Sequence, residues 1–201
     1  AARPPHRYLT KPQANPAMPD YVAFLRAVNV GGTGKLPMAD LRQIAQQIGG
    51  SNPQTYIASG NLILTHSGTA SEIQTALESA LHIYADKPVG VVIRTLPQID
   101  ALLNHLTDLP FANAAPNRVM VLLTDAPIPD APAAQATHLT TEEIAPYPST
   151  SKPDQPGALF IHYPDGQGRS RLSLPLMSSG TARNLNTLRK LQQMLVQRQS
   201  A

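Results

Sequence analysis

Three stretches of this sequence carry residues suited to chemistry. The first is NVGGTGKLPM, residues 29–38, where Asn29, Gly31, Gly32 and Lys35 stand between an apolar run and a helical pattern. Glycine turns that open a helix can wrap an anion with backbone N–H groups, and a lysine beside them adds charge. The second is TYIASGN, residues 55–61, in which Ser59 and Asn61 flank a glycine. The third lies near the C terminus: Arg169 and Arg171 in DGQGRSR, then Arg183 and Asn184 in SGTARNLNTLRKL. An arginine guanidinium presents a planar fork of donors that matches phosphate or carboxylate. Arg26 joins the set because its apolar run ends at the glycine turn.

The spacing excludes several familiar machines. A Walker A loop needs G-x-x-x-x-G-K-[ST], but Asn29 holds the first glycine position and Leu36 the hydroxyl position. A dinucleotide loop starting at Gly32 would need glycine where Pro37 stands. What survives is either a flexible strand-to-helix turn that uses glycine for its geometry alone, or a simpler anion site of N–H groups at a helix start beside Lys35. The histidines at 6, 66, 82, 105, 138 and 162 include no pair four residues apart, and no H-E-x-x-H occurs, so no metal site is expected. No G-x-S-x-G elbow is present, and Ser59 falls on a hairpin turn. Glu142 and Glu143 are adjacent, so on a strand they face opposite sides. No catalytic residue or cofactor is named by this pattern.

These residues need elements to position them. YVAFLRAVNV reads as a strand; Met38, Leu41, Ile44, Ala45 and Ile48 then recur at helical spacing, with Gly49-Gly50 as the stop. QTYIASGNLILTH reads as two strands joined at Ser59-Gly60-Asn61, Ile73 to Tyr84 as a second helix, and VGVVIRT as a buried strand. That order is βαββαβ, a ferredoxin-like α+β plait with an antiparallel sheet and helices on one face. A helix carrying Ile99, Leu102, Leu103 and Leu106 follows, and RVMVLLT opens a second, partly similar α+β half. This half reads as a short helix near Ala131 to His138, a strand before Tyr147, the strand ALFIHY and a last helix from about Thr181. On that last helix Leu185, Leu188, Leu191 and Leu195 form the core face, Asn184 lies within the apolar arc, and Arg183 points away, free to join Arg169 and Arg171 in a fork. Seven prolines between Thr124 and Gly157 predict long surface loops. The units expected are a disordered leader at 1–17, halves at 18–96 and 97–201, and a packed whole.

Charge is distributed unevenly. The leader holds Arg3, Arg7 and Lys11, and Met18 is a plausible start; from there the chain carries 13 basic and 13 acidic residues. The pI of about 9.3 therefore says little about nucleic acid. Residues 166–201 hold six basic residues and no acid, so this segment either docks on the acidic remainder or faces an anion. The absence of cysteine excludes disulfides and thiolate chemistry. No run reaches the ~20 apolar residues of a membrane span, and no secretory segment is recognisable, which points to the cytoplasm.

YVAFLRAVNVGGTGKLPMADLRQIAQQIG, TYIASGN and SGTARNLNTLRKL together resemble the family of bacterial proteins catalogued as domain-of-unknown-function family 1697. The likeness runs from Tyr21 to about Leu195. Three positions depart from the family pattern: Ala27 stands where it has glycine, Leu64 where it has an aromatic, and Leu185 where it has tryptophan. The resemblance implies a ferredoxin-like α+β fold and no established activity. A base-stacking RNA surface of the kind built on this plait is not expected, because NLILTH lacks an aromatic. Two functions stay open beside an enzyme of unnamed reaction: a binding module for an anionic small molecule or nucleic-acid backbone, or an interaction protein without a small-molecule site. They differ in whether the three blocks converge on an open, positively charged cleft.

Overall fold

The computed structural model describes residues 18–29, 35–129, 131–148 and 157–200. The leader and residues 30–34, with Gly31 and Gly32, lie outside the described residues. The first half runs β1 (Asp20–Leu25), α1 (Met38–Gln47), β2 (Ser51–Tyr56), β3 (Asn61–Thr65), α2 (Ala70–Ala85) and β4 (Val91–Thr95). Its sheet has the order β2-β3-β1-β4 with every pairing antiparallel, the plait expected from the sequence. β1 is apolar without alternation because both its faces are covered. Ala23 and Leu25 pack with α1 and α2, while Val22 and Phe24 face the opposite way into a second core. α2 starts at a capping box, in which Thr69 N–H donates to Glu72 Oε2 (2.7 Å) and Glu72 N–H to Thr69 Oγ1 (3.3 Å).

The second half comprises α3 (Leu96–Leu106), β5 (Val119–Leu123), β6 (Glu143–Pro146), β7 (Ala158–His162), β8 (Thr181–Asn184) and α4 (Leu185–Gln199). Its antiparallel sheet has the order β6-β7-β5-β8, the same as the first with each strand replaced by its counterpart. Two expectations are corrected here. The helix predicted near Ala131 to His138 is only a 3-10 turn at Pro132–Gln135. The last helix begins at Leu185, because Thr181–Asn184 pair with Leu123–Met120 as β8 instead. A residue committed to a sheet ladder cannot also open a helix.

The correspondence between halves extends to single residues. Val22 pairs with Arg94 and Val121 with Arg183. Leu25 N–H donates to Gly60 O at 2.9 Å, and Thr124 N–H to Gly157 O at 3.0 Å. Each final strand passes directly into a helix through Arg94-Thr95-Leu96 or Arg183-Asn184-Leu185, and Thr95 and Asn184 are the N-cap residues. Asn184 therefore lies outside the apolar arc of α4, its Oδ1 accepting from Thr187 N–H at 3.0 Å.

One core joins the halves. Val22, Phe24 and Val92 of the first sheet, Ile99 and Leu102 of α3, Leu188 and Leu191 of α4, and Val121 and Phe160 of the second sheet belong to a single buried cluster. At its far end Arg198 ties the last turn of α4 to the start of β1, 3.1 Å from Asp20, so part of the basic C-terminal segment docks on an acid of the remaining chain. Leu188→Ala removes a fully buried side chain from this shared core and is expected to cost about 2–5 kcal/mol. Because the core is shared, urea unfolding followed by circular dichroism and by tyrosine fluorescence should show one coincident transition, shifted as a whole by the substitution. Two separated transitions would contradict a common core.

Candidate functional site

At Leu25 the ladder of β1 ends, and the chain enters a strained junction. Ala27 (φ 47°), Asn29 (φ 57°) and Ile57 (φ 50°) all adopt the left-handed region, as does Gly60 (φ 80°). Such conformations cost energy for residues with a Cβ, most of all for a β-branched one, and persist only where surrounding contacts impose them. Here the contacts are visible. Asn29 Nδ2 donates to Leu36 O (3.0 Å) and Ala58 O (2.7 Å), and its Oδ1 accepts from Leu36 N–H (2.7 Å). One side chain thereby ties the two sides of the glycine turn to the β2–β3 hairpin. Gly60 has no alternative residue, since a Cβ there would sit 2.5 Å from Val28 Cγ2.

The second and third sequence blocks meet the first through Arg183. Its guanidinium is buried, and its donors point inward: Nε to Asn61 Oδ1 (2.6 Å), Nη1 to Thr181 Oγ1 (2.7 Å) and Ala182 O (2.8 Å), Nη2 to Leu25 O (2.8 Å) and Ser59 O (2.9 Å). Its Cζ lies 5.7 Å from the centre of the Phe24 ring. Asn61, itself fully buried, donates back to Tyr56 O (2.9 Å) and Ser59 Oγ (3.1 Å). The expected fork of Arg183 with Arg169 and Arg171 is thus not formed. A residue of β8 whose side chain enters the other half cannot also face solvent.

Arg94, which sequence reasoning did not single out, does the same in the reverse direction. It is 2% exposed and donates from Nη2 to Thr124 O (2.8 Å) and Gly157 O (3.0 Å), the counterparts of Leu25 and Gly60. Each half thus inserts an arginine into the strand ends of the other. Among the described residues no carboxylate pairs with either guanidinium. Burial pushes both pKa values down to about 10, partly opposed at Arg94 by Asp125, so both remain charged at neutral pH. The signal that could have found Arg94 is the repeated arginine-cap-leucine junction between strand and helix.

Three surface clefts lie around this framework. One, of about 500 Å³, is lined by Arg26, Lys35 and Lys87 together with Leu81, Tyr84 and Val89 among others. A second, of about 730 Å³ and lined by Glu78 and His82 among others, adjoins it through Arg26, Pro88 and Val89. Arg26 Nη2 donates to the carbonyl of Ser178, and its stem lies over Gly90, where a Cβ would come within 2.8 Å of Cδ. Tyr84 donates its hydroxyl to Asp40 Oδ2 at 2.5 Å, which raises its pKa and keeps the phenol neutral. The third cleft, of about 470 Å³, holds Arg169 and Arg171, but Glu142 and Asp165 line it too. Glu142 accepts from Ser170 Oγ, from Thr140 N–H (2.9 Å) and from Thr140 Oγ1 (3.1 Å), and these bonds pull its pKa down to about 2. The sequence-selected residues therefore separate into three places. Arg26 and Lys35 face a cationic cleft; Asn29, Ser59, Asn61 and Arg183 build the junction behind it; Arg169 and Arg171 stand in a mixed-charge cleft. Asn184 caps α4.

Two substitutions probe the junction. Arg183→Met removes the donors to Ser59 O and to the buried Asn61 Oδ1, leaves Leu25 O with only the Thr181 hydroxyl at 3.2 Å, and should cost about 3 kcal/mol in urea unfolding. Ala27→Gly relieves an exposed left-handed position and should raise stability by about 1 kcal/mol in the same measurement. A neutral Arg183→Met or a destabilising Ala27→Gly would contradict this geometry.

Comparison with known proteins agrees with the fold. A conserved bacterial protein from Streptococcus pneumoniae has a similar structure, with a TM-score of 0.65 at 22% sequence identity, covering 89% of this chain and 99% of that one. No curated protein matches the sequence. The profile of the family described as "Protein of unknown function (DUF1697)" matches residues 18–148, which take in the first half, α3 and β5–β6, and this chain belongs to that family.

Proposed function

We propose that the cleft beside β1 binds a phosphate-bearing small molecule. The observation that carries this reading is the convergence of three cations from three elements, Arg26 after β1, Lys35 before α1 and Lys87 after α2, on one cavity whose lining holds no carboxylate among the described residues; Asp40 stands behind Tyr84 and Glu78 lines the adjoining cleft. A concave, low-dielectric setting focuses such charges on an anion. The mixed-charge cleft offers no comparable field, because Glu142 and Asp165 offset Arg169 and Arg171.

A nucleic-acid backbone fits this arrangement less well. Its phosphates call for cations repeated along a surface, whereas these converge on a single hollow. The face of the first sheet is closed to bases too, since Val22, Phe24 and Ile63 are fully buried. Among the described residues no helix is long and apolar enough to cross a membrane, and none of their acidic and histidine side chains cluster as a metal site would require.

Lys35→Glu reverses one exposed charge without touching the core. In calorimetric titrations with nucleoside and sugar phosphates it should weaken binding at least about tenfold, and added salt should weaken binding to the unsubstituted protein. Arg169→Glu, in the mixed-charge cleft, should leave affinity unchanged. Loss with Arg169→Glu but not Lys35→Glu would refute this assignment, as would tighter binding of single-stranded RNA than of any small phosphate.

A further inference from the structure

We propose that the ligand of the cationic cleft is a nucleoside phosphate, with its phosphate against Arg26 and Lys35 and its base on Tyr84; this rests on the reading just given. The lining of the cleft is mixed. Beside the cations, Leu81, Ala85, Val89 and Tyr84 give it an apolar wall, and about 500 Å³ falls in the range of cavities that hold whole small molecules. An inorganic anion would satisfy the cations and leave the apolar wall wet. A sugar phosphate would fare worse, since the leucine, alanine and valine side chains of that wall cannot pair its hydroxyls. An aromatic base resolves both mismatches.

Tyr84 supports this assignment in particular. It is a large aromatic left 45% exposed at the end of α2. Its hydroxyl is committed to Asp40, which anchors the side chain, so the ring is what it offers a ligand. Bases of every kind stack on such faces, and neighbouring cations reinforce the contact.

The correspondence between halves sets the stoichiometry. Leu25 matches Thr124 through equivalent ladder bonds, so Arg26 matches Asp125. The second half thus carries an acid at the position where the first carries a cation, and Asp125 accepts from Gln74 Nε2 at 2.9 Å. One site per chain follows.

The test is calorimetric titration of the full chain with adenosine and uridine 5′-mono- and triphosphates, ribose 5-phosphate, inorganic triphosphate and adenosine. Nucleotides should bind with one site per chain and about tenfold more tightly than ribose 5-phosphate or adenosine. Tyr84→Phe should stay within about twofold of the unsubstituted protein, while Tyr84→Ala should lose about tenfold for nucleotides and little for inorganic triphosphate. If ribose 5-phosphate and inorganic triphosphate match the nucleotides, the nucleoside assignment is wrong and anion binding stands. If no phosphate compound binds, both fail. The ranking of ligands on the unsubstituted protein decides the question even if Tyr84→Ala does not fold.

Discussion

A buried guanidinium without a carboxylate is the constraint on which this fold turns. Removing a cation from water is costly unless its donors are met, and Arg183 meets its own with the carbonyls of Leu25, Ser59 and Ala182 and the side chains of Asn61 and Thr181. Arg94 meets its own in the mirror arrangement, on Thr124, Gly157 and Ile93. Carbonyl oxygens free to accept such bonds are found where a strand ladder ends. The two arginines therefore dictate where β1 and β5 stop, and they hold each half against the other.

The candidate site inherits its shape from that constraint. Leu25 O is taken by Arg183 and Thr181, Arg26 N–H still bonds Gly90 O at 2.8 Å, and beyond it the chain leaves the sheet through left-handed conformations at Ala27 and Asn29. Arg26 thereby reaches the surface immediately beside the buried junction, next to Lys35 on the far side of the glycine turn. The convergence of the three sequence blocks is real, but two of them end in the framework and only the first supplies the open cleft. Buried charge holds the framework, and exposed charge lines the cleft.

Much of the plait was legible because it rests on local patterns. The apolar runs of β1, β3, β4, β5 and β7, and the helical spacing of α1, α2 and α3, place the elements in the right order. Thr181–Asn184 was misread because the leucine periodicity of α4 extends smoothly back to Asn184, while the pairing that makes β8 is with Met120–Leu123, far away in sequence. Arg183 was misassigned for a related reason. An arginine near a polar loop suggests a ligand fork, and only tertiary structure reveals that backbone oxygens of the other half have taken its place. Arg94 escaped notice although it stands in an apolar strand, where a lone cation is itself a sign of buried pairing. Ala27 is the informative departure from the pattern that the resemblance implies, since its left-handed φ is one that glycine adopts without strain.

The reciprocal arginines can be observed directly through solvent exchange of their guanidinium hydrogens by nuclear magnetic resonance. With both side chains locked between the halves, Arg94 and Arg183 should exchange only when the halves separate, far more slowly than the half-exposed Arg26 on the same protein. Equal, rapid exchange at all three would mean that Arg94 and Arg183 are solvated, and that something else holds the halves together.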